Sequence, residues 1–140
     1  MAAAVFALDT NVLIEAHRRY YAFDLVPGFW DALVDCARHG AVKSIDRVAD
    51  ELKRGGETGK HDALALWAQE HAGDIFVTTD DPDVIAAYAE VMGWVQAQPQ
   101  YIDAAKEDFA AGADGWVIAF AKAKERTVVT LEASSPLSKS

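Results

Sequence analysis

The run AAAVFAL at residues 2–8 is continuously apolar and stops at a lone carboxylate, Asp9. A half-exposed strand alternates polar with apolar residues, so a short unbroken run of this kind is expected of a strand covered on both faces. That demand constrains everything downstream, because the rest of the chain must supply helices for both sides of a sheet. The pattern does so. Thr10 to about Tyr20 reads as a helix, and Pro27 opens a second with Phe29, Trp30, Leu33, Val34 and Ala37 at helical spacing and Gly40 as its stop. Ala41–Ile45 reads as a short strand. Asp46 caps a helix through Leu52 that ends at Gly55-Gly56. His61–Ala72 is amphipathic, and Ile75-Phe76-Val77 is extended.

Further on, Asp81-Pro82 starts a helix to about Met92, and Pro99 starts another to about Phe109. Gly112 precedes a helix that is apolar nearly all round (Trp116 to Ala121) and so is expected to lie deep. Thr127-Val128-Val129-Thr130 is the clearest late strand. Strands alternating with helices predict an α/β fold with a central parallel sheet and helices on both faces. Residues 1–132 read as a single domain and 133–140 as an unpatterned tail.

In such a sheet, ligands bind beyond the carboxyl ends of the strands. Asp9 follows the first strand directly, and Glu132 lies just past the late one. Asp114 opens the helix before that strand, so its helix N-terminus faces the same edge. Glu51 is geometrically weaker, some five residues (about 8 Å) into its helix, and reaches the edge only if that helix lies across the sheet end. Its place near a helix C-terminus disfavours a structural role for an anion. Each acid has a plainer reading. A helix cap explains Asp9 or Asp114 taken alone as well as a ligand does; Glu51 is spaced to pair with Arg47; Glu132 fits a solvated tail. Gathered on one edge, however, four carboxylates repel unless a hard cation joins them, which implies Mg²⁺ or Mn²⁺ and makes phosphodiester hydrolysis the natural reaction.

Other chemistries lack their signatures. The four histidines, His17, His39, His61 and His71, show no zinc spacing, and neither a nucleophile elbow, a GxGxxG fingerprint nor a P-loop is present. Trp30, Trp67, Trp94 and Trp116 sit in apolar helical patterns and are expected in the core, as is Cys36, the single cysteine. No run approaches the roughly 20 apolar residues that span a bilayer, and MAAAVFALD lacks the basic start of a signal peptide, so a cytoplasmic protein is expected. The formal charge of −9 is uneven: residues 61–114 hold 11 acids and one base. That stretch is either a solvated surface or a docking face for a basic partner. On totals alone, nucleic acid is a poor partner, because phosphate contacts need local Lys and Arg.

The motifs Leu8-Asp9-Thr10-Asn11, Val48-Ala49-Asp50-Glu51-Leu52, Ala113-Asp114-Gly115-Trp116 and Val128-Val129-Thr130-Leu131-Glu132, with FWDALVD and WVQAQPQY, together span nearly the whole chain. In this order and spacing the sequence resembles the PIN-domain family of metal-dependent ribonucleases, which includes the VapC-type toxins of toxin–antitoxin pairs. The resemblance implies a three-layer α/β/α sandwich with a parallel sheet and an acidic site for Mg²⁺ or Mn²⁺. It maps Asp9, Glu51 and Asp114 onto the three core acids and Glu132 onto a fourth that is often Asp in the family. Asn11 and Thr130 fall on small polar positions that orient the ligands. Gly115 departs from a bulkier residue common among relatives. Relatives also continue with a further strand and helix about where SSPLSKS ends, so the expected sandwich lacks that last unit and has an exposed sheet edge.

The function implied is an RNA endonuclease, the toxin of a type II pair with an antitoxin as partner and a homodimer as a further expectation. Asp9 and Asp114 would bind a first metal, Glu51 would complete or bridge the site, and Glu132 would support a second metal or the attacking water. Arg18, Arg19, Lys53, Arg54 and Lys60 would form a basic rim for RNA, although scattered solvated charges explain them equally. The alternative is an inactive PIN-fold interaction module. A haloacid dehalogenase-type phosphatase also begins with an Asp after a strand, but it needs a second Asp where this chain has Asn11.

Overall fold

A computed structural model describes residues 5–20, 25–54 and 63–130. Its sheet has four parallel strands: β1 (Phe6–Leu8), β2 (Val42–Ile45), β3 (Phe76–Val77) and β4 (Thr127–Val129), in the order β3-β2-β1-β4. Between β1 and β2 lie α1 (Thr10–Glu15), a π-helical turn at Ala16–Tyr20, and α2 (Pro27–Arg38). Between β2 and β3 lie α3 (Asp46–Arg54), α4 (Ala63–Glu70) and the short α5 (Ala72–Ile75). The return to β4 carries α6 (Pro82–Ala97), α7 (Asp103–Ala111) and α8 (Asp114–Lys124).

The order explains the layers. Steps β1→β2→β3 move one way across the sheet, and β3→β4 moves back past β2 and β1. Right-handed crossovers therefore put the last group of helices on the face opposite the earlier ones. Reversal between β1 and β4 opens a crevice at their carboxyl ends, the topological switch point. Both strands are short, and β1 is central: Ala7 pairs with Lys43 on one side and Val128 on the other and is fully buried. Ala7, Ile45, Val48, Ile75, Val84 and Ala119 have no exposed surface. Trp30 meets Trp67 edge-on at 4.9 Å between ring centroids, the form of contact that aromatic quadrupoles favour.

Local signals set several boundaries. α2 ends in a Schellman arrangement, with Gly40 N–H donating to the Ala37 carbonyl (3.0 Å) and Ala41 N–H to Cys36 (3.0 Å). Gly40 has φ +82°, where an L side chain would cost about 1–2 kcal/mol. α6 runs on through Gly93 past the expected end near Met92. It stops at Gln98, extended because a residue before proline is driven out of the α region. Pro99 thus sits in a turn, and α7 begins at Asp103, whose carboxylate suits a helix N-terminus. The single helix expected over Thr10–Tyr20 is instead six α-helical residues followed by the π turn. Ile75, expected to be extended, closes α5.

Two burial expectations are corrected. Cys36 is exposed, because α2 buries the stripe Trp30, Val34 and Ala37, and Cys36 lies off it. Trp94 is 57 % exposed, off the Val84–Ala87–Val95 stripe of α6. With Tyr101 and Ile118 it lines a largely apolar cavity of about 730 Å³ between α6, α7 and α8. No helix among the described residues is long and apolar enough to cross a membrane.

Candidate metal centre

Asp9 sits where β1 hands over to α1. It is 6 % exposed, and its Oδ1 accepts from the Thr10 N–H at 2.7 Å, so it does cap α1. Across the switch-point crevice, the Asp9 N–H donates to the Val129 carbonyl at 3.2 Å, extending the β1–β4 ladder to the carboxylate. The Thr130 hydroxyl, just past β4, donates to Asp9 Oδ2 at 3.3 Å. On the other side, buried Ser44 donates to the Leu8 carbonyl at 2.7 Å and fixes the strand end from which Asp9 departs.

Glu51 does reach this edge. Its Oε2 accepts from the Thr10 hydroxyl at 2.8 Å, and its Oε1 accepts from the Ala113 N–H at 2.8 Å. One carboxylate therefore ties the start of α1 to the start of α8, 41 and 62 residues away in sequence. The cost of an anion near the C-terminus of α3 is offset by the N-terminus of α8, whose amide partial charges face it. Asp114 follows Ala113 as the first residue of α8 and is exposed. Asn11 follows Thr10 and is half-buried. Glu132, Lys60 and the Arg19 side chain lie outside the described residues. Arg18, Lys53 and Arg54 are exposed, and the Arg54 guanidinium donates to the Asp50 carbonyl at 3.3 Å.

All the donors are carboxylate oxygens, which suits a hard divalent cation. Asp9 and Glu51 accept only from neutral groups, with no cationic side chain paired to either among the described residues. Yet among those residues no three His, Cys, Asp or Glu are grouped closely enough to hold an ion together. Asp9 and Glu51 are linked through Thr10, and Asp114 follows Ala113, whose amide holds Glu51.

Thr10, which with Asn11 reads from the sequence as local support for Asp9, serves both carboxylates, one through its amide and one through its hydroxyl. Two further participants are not evident from the sequence alone. The Ala113 amide leaves no trace in sequence. Arg47, whose pairing with Glu51 was the plainer alternative to a metal role for that acid, instead donates to the Thr79 hydroxyl at 3.2 Å and lies 4.0 Å over the Trp116 ring.

A family model described as a domain of unknown function, DUF4411, matches residues 6–140, and the chain belongs to this PIN-like domain family. The fold is also similar to a chain in the crystal structure of VapBC2 from Rickettsia felis bound to a DNA fragment from the promoter. That likeness has a TM-score of 0.60 at 16 % identity and covers 91 % of this chain and 87 % of the other. No curated protein matches the sequence.

Proposed function

We propose that this DUF4411 protein is a divalent-metal-dependent endoribonuclease that hydrolyses RNA phosphodiester bonds and is held in check as a toxin by an antitoxin partner. The observation that carries the reading is the Thr10-linked pair Asp9 and Glu51: two carboxylates at the switch point, each satisfied by neutral donors and neither paired with a cation among the described residues. Asp9, Glu51 and Asp114 would hold Mg²⁺ or Mn²⁺, with Glu132 as a fourth ligand. When bound, the ion would polarise the phosphoryl oxygens and lower the pKa of an attacking water.

The protein's own groups do the rest. Thr10 and Ala113 hold Glu51 by both oxygens, and each oxygen keeps a lone pair with which it could take an ion. Thr130 restrains Asp9 from the β4 side, and Asn11 would add polar support. Arg18, Arg19, Lys53 and Arg54 would draw the polyanionic substrate across an acidic centre. The likeness to VapBC2 supports reading the chain with a protein partner.

The test is cleavage of a panel of structured RNAs by purified protein with Mn²⁺. Wild type cuts, and Asp9→Asn loses about two to three orders of magnitude in rate. Equal cleavage by both assigns the activity to a contaminant and ends the proposal. One observation favours a second reading, an inactive interaction module: no donor trio is closed among the described residues. That reading expects no response of the melting temperature to Mn²⁺.

A further inference from the structure

We infer that Arg47 is a phosphate-binding residue for the RNA strand beside the carboxylate site, oriented for this by Thr79 and Trp116; the inference rests on the ribonuclease reading. The chain has 22 acids against 13 Lys and Arg, and exposed Arg38 pairs with one of them, Asp74. Arg47 makes no ion pair among the described residues and is instead fixed by neutral groups. Its Nε donates to the Thr79 hydroxyl at 3.2 Å, and that hydroxyl, almost fully buried, donates in turn to Asp46 Oδ1 at 2.9 Å. The Thr79 amide donates to Asp46 Oδ2 at 3.2 Å, so the clamp is doubly anchored.

The guanidinium plane lies over Trp116, whose ring is stacked on Tyr88 at 3.7 Å and 6° between planes. A tyrosine ring at that distance and a guanidinium carbon at 4.0 Å cannot share one face, so Trp116 is sandwiched and offers no face to a base. What remains for a ligand is the Nη edge of Arg47, a planar two-nitrogen fork without a protein acceptor among the described residues. Such a fork suits the paired oxygens of a phosphate, and a fork already oriented loses less entropy on binding.

Position ties this fork to the site. Arg47 precedes Glu51 by one helical turn on α3, and residues so spaced lie on the same helix face. Both are pinned to the first turn of α8, Glu51 by the Ala113 amide and Arg47 by the Trp116 ring. A strand whose scissile phosphate lies at the carboxylates would bring a neighbouring phosphate to Arg47. This gives the acidic edge a fixed cation aimed at substrate.

The experiment measures binding of a fluorescein-labelled, mixed-sequence single-stranded RNA to the full chain in EDTA by anisotropy, over a range of salt, together with steady-state cleavage in Mn²⁺. Arg47→Ala weakens binding about tenfold and flattens the log–log salt dependence by about 0.7, the value for one phosphate contact on a single strand. It raises KM by a similar factor with kcat within about twofold, as loss of uniform binding requires. Arg47→Lys keeps the salt slope but recovers only part of the affinity, and it serves as the readout where Arg47→Ala does not fold. Wild-type affinity and slope in a folded Arg47→Ala, while wild type binds and cuts RNA, would overturn this inference alone. Wild type that neither binds nor cuts RNA would overturn it together with the ribonuclease reading.

Discussion

The carboxyl ends of β1 and β3 both lead into a helix capped by aspartate, and they treat that aspartate differently. Asp81, before α6, accepts from the Asp83 amide at 2.9 Å and also receives Lys124 from α8 at 2.8 Å. Lys124, together with the amide of its own helix, holds the Asp81 carboxyl below the usual range. Asp9, before α1, accepts from the Thr10 amide and the Thr130 hydroxyl and has no cation beside it among the described residues. Elsewhere the pattern of Asp81 repeats: Asp74 takes Arg38, and Glu90 takes Lys122. Glu51 follows Asp9 instead, with a hydroxyl and an amide as its partners. Asp81, Asp74 and Glu90 are each given a base from a neighbouring helix, whereas Asp9 and Glu51 at the switch point, like Asp46 beneath Thr79, have only neutral donors among the described residues. A chain does not gather bare carboxylates in a half-buried crevice for stability, since their repulsion works against folding.

Mutation separates the two kinds of acid. The largest effect on folding is expected at Glu51. Glu51→Ala strips the Thr10 hydroxyl and the Ala113 amide of their acceptor and should cost about 2–3 kcal/mol in urea unfolding. Glu90→Ala, which removes an exposed partner of Lys122, should leave the midpoint unmoved. Equal losses would mean that Glu51 is one more surface acid.

A smaller contrast separates the two caps. Asn caps a helix as well as Asp does, and at position 9 its amide can still reach the Thr130 oxygen. Asp9→Asn should therefore keep the melting temperature in chelator or raise it slightly, a gain in stability of about 1 kcal/mol at most, while Asp81→Asn lowers it by releasing Lys124. Differential scanning calorimetry of both variants decides the point; a lower melting temperature for Asp9→Asn would make Asp9 a purely structural cap.

The smallest effect lies in pH. Arg38 lowers the Asp74 carboxyl, Lys124 lowers Asp81 and Lys122 lowers Glu90, in each case chiefly through the side-chain hydrogen bond. A depressed carboxylate adds stability above its unfolded pKa and loses it as pH falls through the folded value. These pairs should thus contribute fully above about pH 5 and fade below about pH 4. Because all three are solvent-exposed, the fading should be slight and should vanish in high salt. Urea midpoints at two ionic strengths between those pH values measure it.

What the sequence discloses and what it conceals divide along the same line. Asp9 was legible because its cues are local: an apolar run that stops, then a helix. Gly40, Pro82 and the strand Thr127–Val129 were legible for the same reason, through turn chemistry and period. Glu51 was the weakest candidate, since its helix alone leaves it several ångströms from the edge. Only the approach of α8, more than 60 residues later in the chain, gives its carboxylate an amide to hold. The partners of Arg47 were hidden in the same way, because helical spacing allows a pair with Glu51 that Thr79 and Trp116 pre-empt. Cys36 and Trp94 look like core residues by composition, but each lies off its helix's buried stripe, and which stripe faces inward is settled by tertiary packing.

The role proposed for Asp9 and Glu51 is to hold a divalent metal ion. Titration of Mn²⁺ into wild type and Asp9→Asn, read by calorimetry and by thermal melting, tests it most directly. Saturable binding by wild type is expected, with a rise in melting temperature of roughly 5–10 °C at a hundredfold excess over Kd, and neither response in Asp9→Asn. An identical shift in both proteins, or none in wild type, would contradict the account.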